Sequence, residues 1–545
     1  MTFIWSNSVY LKMEMRNFII ICKTFLLICF SFITITTNAT NYYVSSASGN
    51  NGFSGLSLSS PKQTIQAAAD LTVPGDTVFI MNGTYNSTSG PVLTLLPANS
   101  GAQTQYITYK AYPGHKPKIT ASGDVWNAIL INGSYIIIDS LELQGNNANL
   151  TLTGAMAAYD DRLAGGTDWT RYAAYNTNGI TIGGSNESQF PHHVIIRHCR
   201  VHDFPGGGIE TAKTDYITIE NNVVYNNAWY MMYAGSGISL FHSWNSDSEI
   251  KTKNFIRNNI CYNNKTQVPW ISTNKMSDGN GIIIDDNKNT QDPTAGPAYI
   301  GRTRVENNIS YNNGGSGIHA YSCKSVDLVN NTAYNNGLVV DYAEIFANAC
   351  NDVNILNNIM FAKNSGSCNS NYSNINVIYD YNICYNGAVA VQGAHDKFAD
   401  PLFQFISTDP ALSIFYLKST SPAIDAGTSA IYSRLDIIGT SRPKGAGVDC
   451  GAYEWDASVV IGIKDINSSS LFFKVYPNPA KNLIRIASNS NNEINSIDLF
   501  SVIGEKLESL KNRHEKEVEL SLGSLNAGIY VLRINNKENI KIIKQ

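Results

Sequence analysis

The chain has 545 residues, of which 15% are charged, with a formal net charge of −4, 42 glycines and 30 tyrosines. That length allows one large domain with a smaller one beside it and a sizeable core, and a low-charge, glycine- and tyrosine-rich composition suits a turn-rich β protein better than a helical one. The acidic balance leaves no basic footprint for nucleic acid, and no segment after the N-terminal leader is apolar enough to span a bilayer.

The first element is that leader. Residues 18–35 are apolar apart from Lys23, with Arg16 ahead of them and Thr37, Asn38 and Ala39 behind. The pattern is that of a secretory signal peptide, residues 1–39, cut after Ala39, with Met13 or Met15 as an alternative start. The uninterrupted stretch from Thr24 is short for a spanning helix. Export makes disulfides possible. Of the nine cysteines, however, Cys22 and Cys29 leave with the leader, and the others are too scattered to form a disulfide framework. No CxxC or HExxH spacing argues for zinc.

Residues 42–85 read as a strand, a glycine-rich turn, a short helix capped by Ser60 with Pro61 following, and another strand. Further on, the chain repeats itself: "ENNVVYNN" (220–227) returns as "RNNICYNN" (257–264), "ENNISYNN" (306–313) and "VNNTAYNN" (329–336). A Gly-X-Gly-Ile element precedes these units as "GGGIE", "GSGIS", "GNGII" and "GSGIH". Such a unit of short β-branched strands with Asn/Gly corners cannot bury its apolar face alone, whereas stacked units can. The expected fold is all-β, a right-handed parallel β-helix over residues 40–455, with inward Ile and Val forming the core and corner asparagines bonding to their equivalents one coil above. Propeller blades would need more strands per repeat.

Alignment on Gly-X-Gly-Ile shows which side chains stack. Lys213, His242 and Asp286 fall in one column, with Ala212, Phe241, Asp285 and Tyr321 one place nearer the Ile. Asp215, Trp244, Lys288 and Lys324 lie two places beyond the first column. Successive coils are about 4.8 Å apart, so these residues are expected to converge on one strip, walled into a groove by insertions at 265–278 and 290–299. Asp278, Asp285 and Asp286 offer hard oxygen ligands for Ca²⁺, acid/base groups, or turn caps. Lys213 and Lys324 are candidate bases, since desolvation or neighbouring cations lower a lysine pKa. His242 is a candidate proton-transfer group, and Trp244 and Tyr321 are candidate sugar-stacking residues. Arg197, His198 and Arg200 belong to another strand, off the groove. Cys323 and Cys350 share a column on consecutive coils and are expected to be neighbours.

The front block (42–85) and the block "SPAIDAGTSAIYSRLDIIGTSRPKGAGVDCGAYEW" (421–455) resemble the opening cap and closing segment of secreted β-helix polysaccharide lyases and their relatives. The nearest resemblance is to the family nine polysaccharide lyases, pectate-lyase-like β-helices with a calcium-binding aspartate cluster and a lysine base. "SDGNGIII" is similar to that family's DGF-type turn, which implies a calcium-ligand role for Asp278. One coil later the family carries an Asp-Asp-Gly-aromatic-Asp cluster, where this chain reads "GGSGIHA" (314–320). The resemblance implies a secreted or cell-surface enzyme that cleaves an acidic, uronate-containing polysaccharide by β-elimination. The same fold also hosts inverting glycoside hydrolases, C5-epimerases and non-catalytic glycan-binding surface proteins. Adjacent "DD" is similar to polygalacturonases, but their Gly-His-Gly and Arg-Ile-Lys companions are missing. Fold alone does not choose among these.

After Trp455 a linker (456–470) leads to a tail, 471–545, with "YPNPA" (476–480), "NAGIYVLRI" (526–534) and a near-terminal lysine. The tail resembles the C-terminal sorting domain of the type IX secretion system, which implies that machinery as a partner. Its alternating strands fit a small β-sandwich.

Overall fold

The computed structural model describes residues 39–183, 190–292, 294, 296–406, 410, 413–457, 473–488, 493–501, 506–535 and 538–545. The signal peptide expected over 1–39 lies almost wholly outside the described residues, as does most of the linker.

Each rung of the main body passes through three short strands, for example Ile209–Ala212, Asp215–Glu220 and Val223–Tyr225. Equivalent strands of successive rungs pair in parallel, building a nine-stranded front sheet, an eleven-stranded side sheet and an eleven-stranded back sheet. In the front sheet Ile209, Ile238, Ile282, Ile318 and Ile345 are register partners in turn, all fully buried. Burying a side chain of this size is worth about 1.5–3 kcal/mol, so the inward column favours the stacked rung over the lone one.

The repeated asparagine doublets have two distinct tasks. The first Asn of each turns the chain: Asn221, Asn226, Asn258, Asn263, Asn307 and Asn312 all have φ between 54° and 57°, a left-handed conformation that asparagine tolerates better than most residues. The second Asn links rungs. Asn259 Nδ2 donates to Ile219 O at 2.9 Å and to Asn308 Oδ1 at 3.0 Å, and Asn308 and Asn331 repeat the arrangement upward. A parallel ladder joins Asn227, Asn264, Asn313 and Asn336, and the carboxylate of Glu344 accepts from the last.

The second glycine of Gly-X-Gly-Ile is also explained by stacking. A Cβ on Gly237 would lie 2.7 Å from Gly281 O, and one on Gly281 would lie 2.7 Å from Gly317 O. The backbones are too close for any side chain.

The tyrosines of the "YNN" units stack on the back sheet, with ring centroids 4.8 Å apart for Tyr225–Tyr262 and 5.0 Å for Tyr262–Tyr311. The strand Ile414–Leu417 and the closing segment after it fold over this face, bringing Phe415, Tyr416 and Cys450 into one apolar cluster with Tyr262 and Tyr311. Cys323 and Cys350 are neighbours, the amide of Cys323 donating to Cys350 Sγ at 3.2 Å, and both side chains are free thiols.

Two readings need correction. The front helix α1 (Ile65–Ala69) is capped by Thr64, whose hydroxyl accepts from Ala67 N, and not by Ser60, which belongs to the preceding turn. Two further helices, α2 (Leu152–Leu163) and α3 (Trp169–Asn176), leave the solenoid ahead of the front-sheet strand Asn178–Gly183. They were not expected, because their apolar residues are aromatics and alanines scattered among polar ones rather than a clear stripe.

The tail is a sandwich of two antiparallel sheets. One holds Phe473–Tyr476, Leu483–Ser488 and Glu517–Ser521; the other holds Ile494–Ser501, Lys506–Glu515, Gly528–Ile534 and Glu538–Lys544. Its core includes Ile484, Ile497, Leu499 and Leu532.

Candidate functional site

Side chains on the front sheet alternate inward and outward, leaving two outward columns. Glu210, Ser239, Ile283, His319 and Phe346 form one; Ala212, Phe241, Asp285, Tyr321 and Asn348 form the other. From Ser239 onward the first column is buried, whereas Tyr321 in the second is 43% exposed. The second column is the open strip of the front sheet, bounded by the corners before and after it. On the corner before the sheet stand Tyr159, Tyr172, Tyr230 and Met232, clustered with Val268 of the inserted segment.

The corner after the sheet carries Lys213, His242, Asp286, Ser322 and Ala349, all with φ between 45° and 56°. Each amide bonds to the next rung: Lys213 N to Phe241 O, His242 N to Asp285 O, Asp286 N to Tyr321 O, Ser322 N to Asn348 O and Ala349 N to Tyr372 O, at 2.7–3.1 Å. These bonds hold residues other than glycine in a strained conformation that costs of order 1 kcal/mol or more each. The expected columns through Lys213–His242–Asp286 and Ala212–Phe241–Asp285–Tyr321 are therefore the observed ones.

The third expected column does not stay on this strip. Asp215 is fully buried in the side sheet, accepting from Lys253 Nζ at 3.0 Å and from the Tyr299 hydroxyl at 2.7 Å. Trp244 packs past the corner against Phe190 and His192. Lys324 opens the side-sheet strand Lys324–Val329, its amide held by Asn287 Oδ1 at 2.7 Å. Once the chain turns the corner, a further offset in sequence carries the residue onto the next face. Arg197 and His198 also lie on the side-sheet edge, both contacting Asp139.

Asp285 and Asp286, adjacent in sequence, have different environments. Asp286 is wholly buried, and its carboxylate accepts from Thr290 N, Thr290 Oγ1, Gln291 N and His242 Nε2. Asp285 faces the groove and accepts from Gln291 Nε2 at 2.9 Å. Burial, with Asp278 and Asp286 close by, pushes its carboxyl up to about 7. Glu210, which accepts from Ser236 N at 3.2 Å, is pushed up to about 8 by burial and by the charges of Asp278 and Asp285. Burial also raises Asp278, against hydrogen bonds from Ser277 and Asn280. Sequence reading missed Glu210, although the third residue of "GIE" marks it as outward on the same sheet. It also missed Lys265, whose ammonium is pushed down by burial at the corner before the sheet.

His242 is nearly buried and stacks on Phe241, with burial holding its pKa below the usual value against the pull of Asp286. Lys213 lies over the Phe190 ring at 5.6 Å.

The calcium set Asp278, Asp285 and Asp286 does not fit a metal. The oxygens of Asp286 are taken by protein donors, and among the described residues no group of three or more His, Cys, Asp or Glu side chains is arranged to hold one. Calcium would need six to eight oxygens.

A family model described as "Pel9A-like, right handed beta helix region" matches residues 42–358, more than half of the chain. The chain belongs to this family. Its solenoid is thus the right-handed form. The Pel9A-like region takes in the front cap and every front-sheet strand from Leu93–Leu95 to Ile345–Asn348. A second model, the secretion system C-terminal sorting domain, matches residues 474–545, and the protein is accordingly secreted or displayed at the cell surface. Among solved structures, pectate lyase Pel9A is 17% identical, with a TM-score of 0.47 over 77% of this chain and 97% of that one. A GH136 lacto-N-biosidase from Eubacterium ramulus is 18% identical, with a TM-score of 0.39 over 64% and 57%. XylC in complex with xylose is 12% identical, with a TM-score of 0.41 over 76% and 98%. At these identities the likeness is one of fold. No curated protein sequence matches the chain.

Proposed function

We propose that the front groove binds an extended acidic polysaccharide and cleaves it by β-elimination, with proton transfer carried by carboxyl groups rather than by a metal-assisted lysine. The observation that carries this reading is the placement of Asp285 on the open column, its carboxyl raised to about 7 and therefore poised to exchange a proton near neutrality. In elimination Asp285 takes the proton at C5 of a uronate, the electrons of that C–H bond form the C4–C5 double bond as the C4–O4 bond breaks, and the departing oxygen takes a proton from solvent. Glu210, raised to about 8 and so mostly protonated at pH 7, donates a hydrogen bond to the uronate carboxyl as charge builds there. Lys213, on the corner beside this column, supplies the nearby positive charge, and Tyr321 and Phe241 offer ring faces to the sugars.

The same pair supports a second reading, hydrolysis, because two carboxyl groups with different raised values are also the equipment of a glycosidase. Incubation of the full mature chain with uronate and neutral polysaccharides separates the two. Ultraviolet-absorbing unsaturated ends are the expected product; reducing ends without unsaturation mean hydrolysis. Binding without cleavage of any polymer overturns both.

A further inference from the structure

The outer face of the side sheet carries a second pocket, separate from the front groove. A cavity of about 540 Å³ lies between the rungs bearing Glu220, Arg257 and Glu306 and the stretch 432–435 of the closing segment. It is of a size that holds small ligands.

The pocket is built rather than incidental. Arg304 donates to Tyr432 O at 2.6 Å, and Asn307 Nδ2 donates to Ser433 Oγ at 2.8 Å and to Leu435 O at 2.6 Å, fastening the closing segment over the sheet. Arg257 lies over the Phe255 ring at 5.4 Å and reaches Glu220 at 2.7 Å. Arg304 Nε donates to Glu306 at 2.7 Å. These contacts leave donors on both guanidiniums, which have five N–H groups each. Arg434, exposed at the rim, makes no ion pair among the described residues. Asn258 Oδ1, in the same lining, is buried and has no hydrogen-bond partner among them.

Three guanidiniums against two carboxylates leave the lining with an excess of positive charge. A guanidinium matches a carboxylate in planar, two-pronged fashion, while Glu220, Glu306 and Asn258 offer acceptors for hydroxyl groups. We propose that this pocket is a non-catalytic anchoring site for a carboxylated sugar residue of an extracellular polysaccharide. The site stands independently of the chemistry assigned to the front groove.

Affinity electrophoresis of the full mature chain in gels containing polygalacturonate or alginate, with neutral dextran as control, tests this. Arg434→Glu, and Thr252→Trp which fills the cavity from the sheet, should each weaken retardation by the uronate polymers at least fivefold with melting unchanged. Because the front groove is proposed to bind the same polymers, the comparison is made in a Tyr321→Ala background, which weakens the groove's share, and Arg434→Glu added there should remove most of the retardation that is left. If Thr252→Trp does not fold, the exposed Arg434→Glu decides alone. Absence of retardation in the unaltered protein, equal retardation by dextran, or retardation of the Tyr321→Ala background left unchanged by Arg434→Glu overturns the proposal.

Discussion

Nε2 of His242 stands 3.0 Å from Oδ2 of Asp286, one rung away in the same corner column. This contact joins two rungs and also anchors the segment that follows, because the same carboxylate holds Thr290 and Gln291. Replacing Asp286 by Ala strands several buried donors at once, so a loss of about 3 kcal/mol or more is expected in urea unfolding. Asp286→Asn, which keeps one acceptor, should lose less. An unchanged midpoint in Asp286→Ala would show that the turn is held by other means.

Asp285→Asn should lower turnover at least about a hundredfold while the fold stays intact. In the unaltered protein, activity should rise as pH passes about 7, where Asp285 ionises, and fall again as Glu210 loses its proton near about 8. The stability effect has the opposite sense. A carboxyl raised in the folded state holds its proton more tightly there, so its stabilising contribution is complete below the ordinary value of 3.8 and is lost as pH climbs to about 7. Asp285→Asn should therefore gain stability relative to the unaltered chain at pH 8. A flat rate profile across this window would remove Asp285 from the chemistry.

His319 provides a titration of the other sign. It is buried against Phe346, bonded to Ser316 Oγ at 2.6 Å, and held down to about 3 by desolvation. Its contribution is full above the ordinary value of 6.5 and lost as pH falls toward 3, which amounts to about 2 kcal/mol between pH 6.5 and 4.5. His319→Phe should flatten the acid limb of unfolding free energy by that amount. If the two curves run parallel, His319 does not titrate in this range.

Because the oxygens of Asp286 are already taken by protein donors, exhaustive chelation should leave cleavage unchanged. A rate restored only by added Ca²⁺ would return the aspartates to the ligand role that the family resemblance implied.

Deleting residues 471–545 should leave a folded solenoid in the periplasm of a host that has the type IX route, detected by cell fractionation. Delivery to the surface without the tail would contradict its assignment as an address.

The solenoid was legible in the sequence because its determinants are local and repeated. Ile282, Asn259 and Gly281 each do what their counterparts do one rung away, so alignment alone recovered the register as far as the corner. The site was legible only in part. Asp285 and Tyr321 were found because they share that register, while Lys324 and Trp244 were misplaced once the count ran past the turn. The different fates of Asp285 and Asp286 rest on Thr290 and Gln291, which lie in a non-repeating segment. Glu210 gains its importance from burial by Ser236 and by residues distant in sequence, which periodicity does not report. Helices α2 and α3 are held by tertiary packing of Tyr159 and Tyr172.

The asparagine ladder also serves as a ruler of chain length. Successive members are separated by 37, 49, 23, 27 and 24 residues from Asn222 to Asn382. A bare rung therefore needs about the shortest of these, and the two long intervals carry surplus chain. That surplus leaves the solenoid only at the corners flanking the front sheet, as in 229–235, 243–251, 265–280 and 289–301. From Asn221 to Asn358 each rung turns between side and back sheets on the same two-residue Asn step, whose second side chain is committed to its neighbours, whereas earlier rungs turn there on Ser140–Leu141 and His198–Cys199. Lengthening there would break the ladder, whereas lengthening beside the front sheet costs only loop closure, which grows slowly with length. Variation in this scaffold is thereby channelled to one face: insertions can deepen, roof or re-line the groove while the opposite corner stays constant.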